Sequence, residues 1–418
     1  MTTFLPFTAQ DVATAVQWAI SENAPIEIVG HGSKRGVGHP LQCENAIDLS
    51  AMSGVTLYEP EELVLSAKAG TPVADIERLL AQNGQQLAFE PMDCSRLLNH
   101  DTRGGKVGTI GGAIAANLSG PRRLTAGAAR DHVLGITAVS GRGETFKSGG
   151  RVVKNVTGYD LSKLMTGSWG TLGVLTDVTI KVLPAAETET TLAIRGLSDD
   201  LAAAAMALAM GSSAEVSGAA HLPYGFAERV AGDMRGNDPA TLLRVEGFGP
   251  SVASRVGLLK TLLANAGPIE EVSGSRATWR DIRDCAPFAD GSDRPVWRVS
   301  MAPSQAHQMV LALRMETGAD AFYDWQGGLV WLRMEADPED QALRRLMRQF
   351  GGGHATLMRA APAWRAAVPV FEPEPAPLAA LSARVKAEFD PKGLFNPGRM
   401  SAAANSATVP PATEETAP

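Results

Sequence analysis

Ile26-Glu27-Ile28-Val29-Gly30-His31-Gly32-Ser33-Lys34-Arg35-Gly36 carries the most informative junction in this chain of 418 residues. Ile26 to Val29 reads as a short apolar strand that runs straight into the glycine turn Gly30 to Gly36. Glycines let a backbone approach an anion closely, and Lys34 and Arg35 bring charge that neutralises phosphate. The turn therefore reads as a diphosphate cradle. Its GxGxxxG spacing is neither the GxGxxG of a dinucleotide Rossmann unit nor the GxxxxGK[ST] of a phosphate-binding loop. Taken alone, so short a motif is more often a surface turn.

Two further segments share its character. Lys106 to Gly120, KVGTIGGAIAANLSG, is too rich in glycine for a plain helix and too apolar for a solvent loop, which predicts a buried turn leading into a short helix. Within it Gly108, Thr109, Gly111, Gly112, Ala115, Asn117 and Gly120 offer backbone N–H groups, a hydroxyl and an amide without bulk. Such a surface suits a flat ring or a diphosphate. A β-branched side chain at Gly111 is expected to enter the ligand's volume; the alternative is that Gly111-Gly112 only permits close helix–strand packing. The third segment, Lys154 to Leu161 and then Gly167 to Val174, adds Gly158, Gly170, Gly173 and Val174. Tyr159-Asp160 within it reads as a buried hydrogen bond that fixes the loop.

Around these loops the periodicity is regular. Thr8 and Asp11 form a capping-box pattern for a helix over 8–22 with Val12, Val16, Ala19 and Ile20 on one face. Strands are expected at 46–49, 63–69, 133–139 and 144–147. Thr71-Pro72 reads as an N-cap and first helical residue, with the helix closed by Gly84. Val178, Ile180 and Val182 alternate with polar residues in a half-buried strand stopped by Pro184. Beyond it, strands at 191–194, 214–220, 242–247, 296–301, 329–334 and 356–359 alternate with helices near 198–210, 250–266, 304–315 and 337–349. Two successive β-α-β halves of this kind suggest a ferredoxin-like α+β domain. The expected organisation is 1–184, 185–368, a connector and helix over 369–400, and a disordered tail, 401–418.

Composition narrows the function. With 38 basic and 45 acidic residues the formal charge is −7, which argues against nucleic acid or an anionic membrane surface as the main partner. The longest apolar run, Leu201 to Met210, is half the ~20 residues of a spanning helix, so no direct membrane insertion is expected. It reads instead as an alanine-rich helix packed on a sheet. No secretory signal is visible, and a cytoplasmic protein is expected. Cys43, Cys94 and Cys285 lie far apart without a CxxC pair and no HExxH occurs, which predicts no metal site.

GHGSKRG, VGTIGGAIAANLSG, AGAARDHVLGITAV, KNVTGYDLSKLMTGSWGTLGVLTDVTIKVLP and FDPKGLFNPGRM resemble the vanillyl-alcohol-oxidase, PCMH-type FAD-binding family. Within it, Ser119 to Arg123 and the KNVTGYDLSKLM block are similar to the branch of flavin subunits of bacterial glycolate oxidases. The resemblance is fullest over 1–184 and the last helix through Met400. It implies an α+β fold, a two-subdomain FAD-binding domain under a smaller ferredoxin-like cap. By the matching motifs, Gly30, His31, Gly32, Ser33, Lys34, Arg35 and Gly36 would bind the diphosphate. Residues 108–120 would line the cofactor, Pro91 would begin a lining loop, and Gly158 with Gly170 to Val174 would complete the cleft. Ser33 stands where some relatives carry a flavin-linked histidine, which implies non-covalent FAD.

The resemblance also implies oxidation of glycolate, a small 2-hydroxy acid, to glyoxylate in a complex with a second flavin subunit and an iron–sulfur subunit. Any contact with the inner membrane face would come through those partners. Relatives that oxidise 2-hydroxy acids alone carry a GHxGDGNxH-like motif, whereas this chain has Gly351-Gly352-Gly353-His354-Ala355-Thr356. Its candidates for catalysis are His354 as an acid/base and Arg122 and Arg123 as stabilisers of negative charge, each also readable as structural. The alternatives are a self-sufficient 2-hydroxy-acid dehydrogenase and a flavin-free scaffold.

Overall fold

The computed structural model describes residues 2–98, 108–151, 158–234 and 236–401. Lys106, Val107, Lys154 to Thr157 and the expected disordered tail beyond Ser401 lie outside the described residues. Among the described residues the first unit holds two larger sheets and a two-residue antiparallel pairing of Gln85–Gln86 with Leu183–Pro184. One is parallel, ordered Thr2–Phe4, Asn45–Asp48, Ile26–Val29. The other is antiparallel, ordered Val55–Glu59, Val64–Lys68, Val174–Lys181, Val133–Val139, Thr145–Gly149.

Local chemistry explains most of these elements. The helix Ala9–Glu22 starts at the predicted capping box, with Asp11 N–H donating to Thr8 Oγ1 at 3.1 Å and Thr8 N–H to Asp11 Oδ2 at 2.9 Å. Its buried stripe holds Val12 and Val16, and burying a valine fully stabilises by roughly 1.5–3 kcal/mol. The next helix, Val73–Gln82, departs from expectation: Pro72 is its cap residue and makes no side-chain cap. The Thr71 hydroxyl instead accepts Gly54 N–H at 2.9 Å and donates to Lys68 O at 2.6 Å, which ties two strand ends together. In the glycine-rich stretch the helix is Ile110–Ala116, capped by the Thr109 hydroxyl and ended by Asn117 at φ +49°.

The cap is larger in design than a single ferredoxin-like domain. Thr188–Arg195, Gly218–Leu222, Ala240–Gly247 and Ile269–Val272 form a complete four-stranded ferredoxin-like unit. Val296–Ser300, Asp320–Asp324, Leu329–Arg333 and His354–Arg359 form a second. The two join edge to edge through His221 opposite Tyr323, giving one antiparallel sheet of eight strands. Sequence reading missed Ile269–Val272, whose central pair is Glu270-Glu271, and Asp320–Asp324, which is bounded by charge.

Alternation along these strands sorts the side chains to two faces. Leu192, Ile194, Trp297 and Val299 pack under the cap's own helices. Ala193, Leu242, Val296 and Trp331 face the first unit and share a core with Met92, Cys94, Leu97 and Leu118. The layers are therefore helix, sheet, first unit. The last helix runs Ala376–Phe389, after which Ile26 N–H donates to Leu394 O at 2.9 Å and Asn396 N–H to Ile26 O at 3.1 Å. The end of the chain thus seals the strand that carries the first glycine loop. Among the described residues no helix is long and apolar enough to cross a membrane.

Candidate functional site

The strand Ile26–Val29 delivers its loop into a cleft between that loop and the helix Ile110–Ala116. Of the predicted residues, Gly30, His31, Gly32, Ser33, Lys34, Arg35, Thr109, Gly111, Gly112, Ala115, Gly170 and Gly173 line it. Glu27, Leu49, Ala69, Trp169, Leu175 and Arg399 line it too and were missed.

Charge in this cleft is asymmetric. Arg35 is spent on Glu27, with Nε 2.9 Å from Oε1 and a second contact from its terminal nitrogen to Oε2. Lys34 is 9% exposed and has no carboxylate partner among the described residues. Arg399 is 6% exposed, donates to the Lys34 carbonyl at 3.0 Å, and leaves its buried Nε without a partner. Burial pushes its guanidinium below the ordinary arginine value. An orphaned buried donor beside a recessed ammonium is what a bound anion would satisfy.

Close approach governs the glycines. A Cβ on Gly30 would stand 2.7 Å from the Thr109 hydroxyl, so loop and helix touch only because it is absent. At Gly111 the structure corrects the sequence reading: a Cβ there would meet Ala69 Cβ at 2.7 Å and Ala69 O at 2.8 Å. Gly111 is a helix–strand contact, and its missing side chain opens no ligand space. Gly112 does, since a Cβ on it would meet only the Thr109 hydroxyl, at 3.3 Å.

Other predicted positions lie off the cleft. Gly36 abuts Leu98, and Gly108 lies beside Lys34, 3.2 Å from Nζ to its would-be Cβ. Pro91 bridges to Ser119, while Asn117 Oδ1 accepts the Arg130 N–H at 3.2 Å. Gly120 accepts the Trp325 indole N–H at 2.9 Å, at the junction with the cap. Gly158 is exposed, and Val174 is a wholly buried core residue. Tyr159 is 90% exposed, against the expectation of a buried hydrogen bond, and Asp160 caps the helix Leu161–Met165.

The three catalytic candidates separate. His354 is exposed at the start of an outer strand of the cap sheet and does not line the cleft. Arg122 is enclosed by Glu90, Glu246 and Glu189, with Arg244 completing the network. Burial pulls Glu246 up, yet the Arg122 hydrogen bond and the Arg244 charge outweigh it and hold the carboxyl at about 2. Arg122 is therefore committed to joining the two units. Arg123 stacks on the Trp325 ring, 4.5 Å from its centroid.

The residues fit an extended dinucleotide such as FAD: glycine backbone lies on two sides, Lys34 and Arg399 offer positive charge that a diphosphate would meet, and Trp169 and Leu175 form an apolar wall. Comparison with known proteins agrees. Residues 2–149 match the family described as "FAD binding domain". The chain is 35% identical to glycolate oxidase subunit GlcE of Escherichia coli K12 over 394 residues, 94% of this chain and 97% of that one. It is 36% identical to glycolate oxidase subunit GlcD of Bacillus subtilis over 141 residues, 34% of this chain and 28% of that one. A D-lactate dehydrogenase of Anaerostipes hadrus is 33% identical over 190 residues, 45% and 37% of the two chains. In fold, p-cresol methylhydroxylase superposes with a TM-score of 0.72 at 13% identity, covering 97% of this chain and 90% of that one. Through its match along nearly the full length of GlcE, the chain belongs to the family of that glycolate oxidase subunit, among the FAD-dependent oxidoreductases of PCMH-type fold.

Proposed function

We propose that this chain is the FAD-binding subunit of a glycolate oxidase, working with a second flavin subunit and an iron–sulfur subunit to convert glycolate to glyoxylate. The observation that carries this reading is the glycine-walled cleft in which the recessed Lys34 ammonium stands beside Arg399, whose contact with Glu27 is a long 4.0 Å and whose buried Nε has no partner. Bound there, the flavin supplies the redox chemistry, while the protein supplies binding, orientation and electrostatics.

The chain's own residues have separable tasks. The loop 30–36 approaches the diphosphate through its backbone, and Lys34 and Arg399 neutralise it. Glu27 holds Arg35 against the strand. Ser33 stands where some relatives carry a flavin-linked histidine, which supports FAD held non-covalently. The network of Arg122, Glu90, Arg244 and Glu246 fixes the cap over the first unit, which excludes water from the core between them.

The test is the absorbance spectrum of the purified chain before and after anaerobic glycolate, alone and with its partner subunits. Flavin bands that bleach with partners support the reading. A colourless chain that takes up no FAD overturns it, and bleaching by the chain alone replaces it with a self-sufficient dehydrogenase. Acid precipitation that leaves the flavin in the pellet would overturn non-covalent binding.

A further inference from the structure

The helix Pro362–Ala367 lies in the connector that leaves the cap after its last strand, His354–Arg359. Its Arg365 is 9% exposed, and its Nε has no hydrogen-bond partner. Among the described residues no carboxylate pairs with it, and burial pulls the guanidinium below the ordinary arginine value. A buried cation without a counter-charge is costly to a fold, so what this one holds is informative.

It holds the far end of the first glycine loop. Arg365 Nη1 donates to the Gly38 carbonyl at 3.0 Å, and His39 Nδ1 donates to the Arg365 carbonyl at 2.7 Å. One residue therefore grips two consecutive loop residues, by side chain and by backbone. Arg399 is threaded through the same turn. His39 N–H donates to the Arg399 carbonyl at 3.0 Å, and the Arg399 guanidinium donates to the Lys34 carbonyl, also at 3.0 Å. Gly38, at φ +90°, admits it: a Cβ there would stand 2.8 Å from Arg399 Cγ and 2.9 Å from its carbonyl oxygen.

These contacts end in the cleft, which Arg399 lines with its Nε unpartnered and which Arg365 does not reach. The turn contains Gly36 and Gly38, and glycine backbone loses more freedom on ordering than any other residue. Binding must meet that cost unless the turn is ordered beforehand. We propose that Arg365 is a positioning residue for the cofactor: by clamping Gly38 and His39 it fixes the turn that aims the Arg399 guanidinium at the FAD diphosphate. The inference rests on the reading of this cleft as the flavin site. The connector is itself tied to the cap, because Arg344 of the helix Asp340–Gln349 donates to the Pro369 and Phe371 carbonyls at 2.8 and 3.1 Å. A segment that touches no cofactor thus carries the cap's attachment to the anion-binding end of the cleft.

The test is a double-variant cycle on the full chain loaded with FAD, with flavin release on dilution read by fluorescence. Arg399→Met and Arg365→Met should each raise the FAD Kd about tenfold or more. The two together should exceed Arg399→Met by no more than about threefold, because a residue that acts through Arg399 then has nothing left to position. His39→Ala, at a half-buried position, gives the same reading in both backgrounds should Arg365→Met not fold. An arginine that only supports the fold would multiply its effect with that of Arg399→Met. A double variant weaker than Arg399→Met by more than about threefold therefore overturns the positioning role and leaves the flavin assignment standing. So does an unchanged Kd in every variant of Arg365 and His39 that folds. Unchanged affinity in Arg399→Met overturns it too, since the relay then has no end at the diphosphate. A wild-type chain that takes up no FAD overturns the proposed function, and this role falls with it.

Discussion

Arg122 Nε donates to both carboxylate oxygens of Glu246, at 3.1 and 2.9 Å, across the junction of the first unit and the cap. The same guanidinium donates to Glu90 Oε1 at 2.8 Å, and Arg244 reaches that oxygen at 3.0 Å. A residue that stands in sequence beside the glycine loops, and reads there as a stabiliser of flavin charge, is thus the pin of an interface.

Breaking this pin should be costly, because it leaves buried guanidiniums short of counter-charge. Glu246→Gln is expected to lose about 3 kcal/mol at pH 7, measured by urea unfolding. The sign with pH is set by a folded value near 2, below the ordinary glutamate value. The carboxylate's contribution is full above that ordinary value and lost as pH falls toward 2, so wild type and variant should converge in acid.

Gly111 and Gly112 should respond in opposite ways. Gly111→Ala presses its methyl onto Ala69 and is expected to cost about 1–3 kcal/mol in stability. Gly112→Val points into open cleft, so it should leave the apoprotein melting temperature within a few degrees and abolish flavin retention. Copurification of stoichiometric FAD with Gly112→Val would refute the cleft as the cofactor site.

Arg399→Met should weaken FAD binding at least tenfold in a fluorescence titration, consistent with about 1.5–3 kcal/mol for a hydrogen bond to a charged group. Lys34→Met should do the same. Unchanged FAD affinity in both variants would remove the charge pair from the diphosphate site.

Asp324 predicts a pH dependence of the opposite sense. Its folded value of about 7 lies above the ordinary aspartate value of 3.8. The favourable contribution is therefore full below that ordinary value and lost as pH rises through 7. Asp324→Asn, which keeps an acceptor for the Trp325 N–H, should gain stability relative to wild type between pH 5 and 8. Parallel melting curves at both pH values would show that the carboxyl ionises without penalty.

His354→Ala is expected to leave flavin content and glycolate-dependent reduction unchanged, since the imidazole is exposed outside the cleft. A loss of either would bring the outer cap strand into the site.

Much of this protein is determined by sequence alone, wherever the deciding interaction is local. Thr8 and Asp11 announce a helix because their hydrogen bonds span three residues. Val178, Ile180 and Val182 announce a strand because alternation is a property of consecutive side chains. The loop 30–36 and the capped helix start at 109–115 are legible because glycine, threonine and alanine together suit backbone approach and little else. The tertiary structure decided the rest. Arg399 reaches the Lys34 carbonyl across 365 positions, and Asn396 holds the Trp169 carbonyl at 2.8 Å across 227, so no window of sequence contains either pair. Ile269–Val272 became a strand by pairing with Thr188–Arg195, which overrode its two glutamates. Gly111 shows the same limit within one residue: that the position must be small was readable, but whether Ala69 or a ligand fills the space beside it is fixed only by how helix and sheet pack.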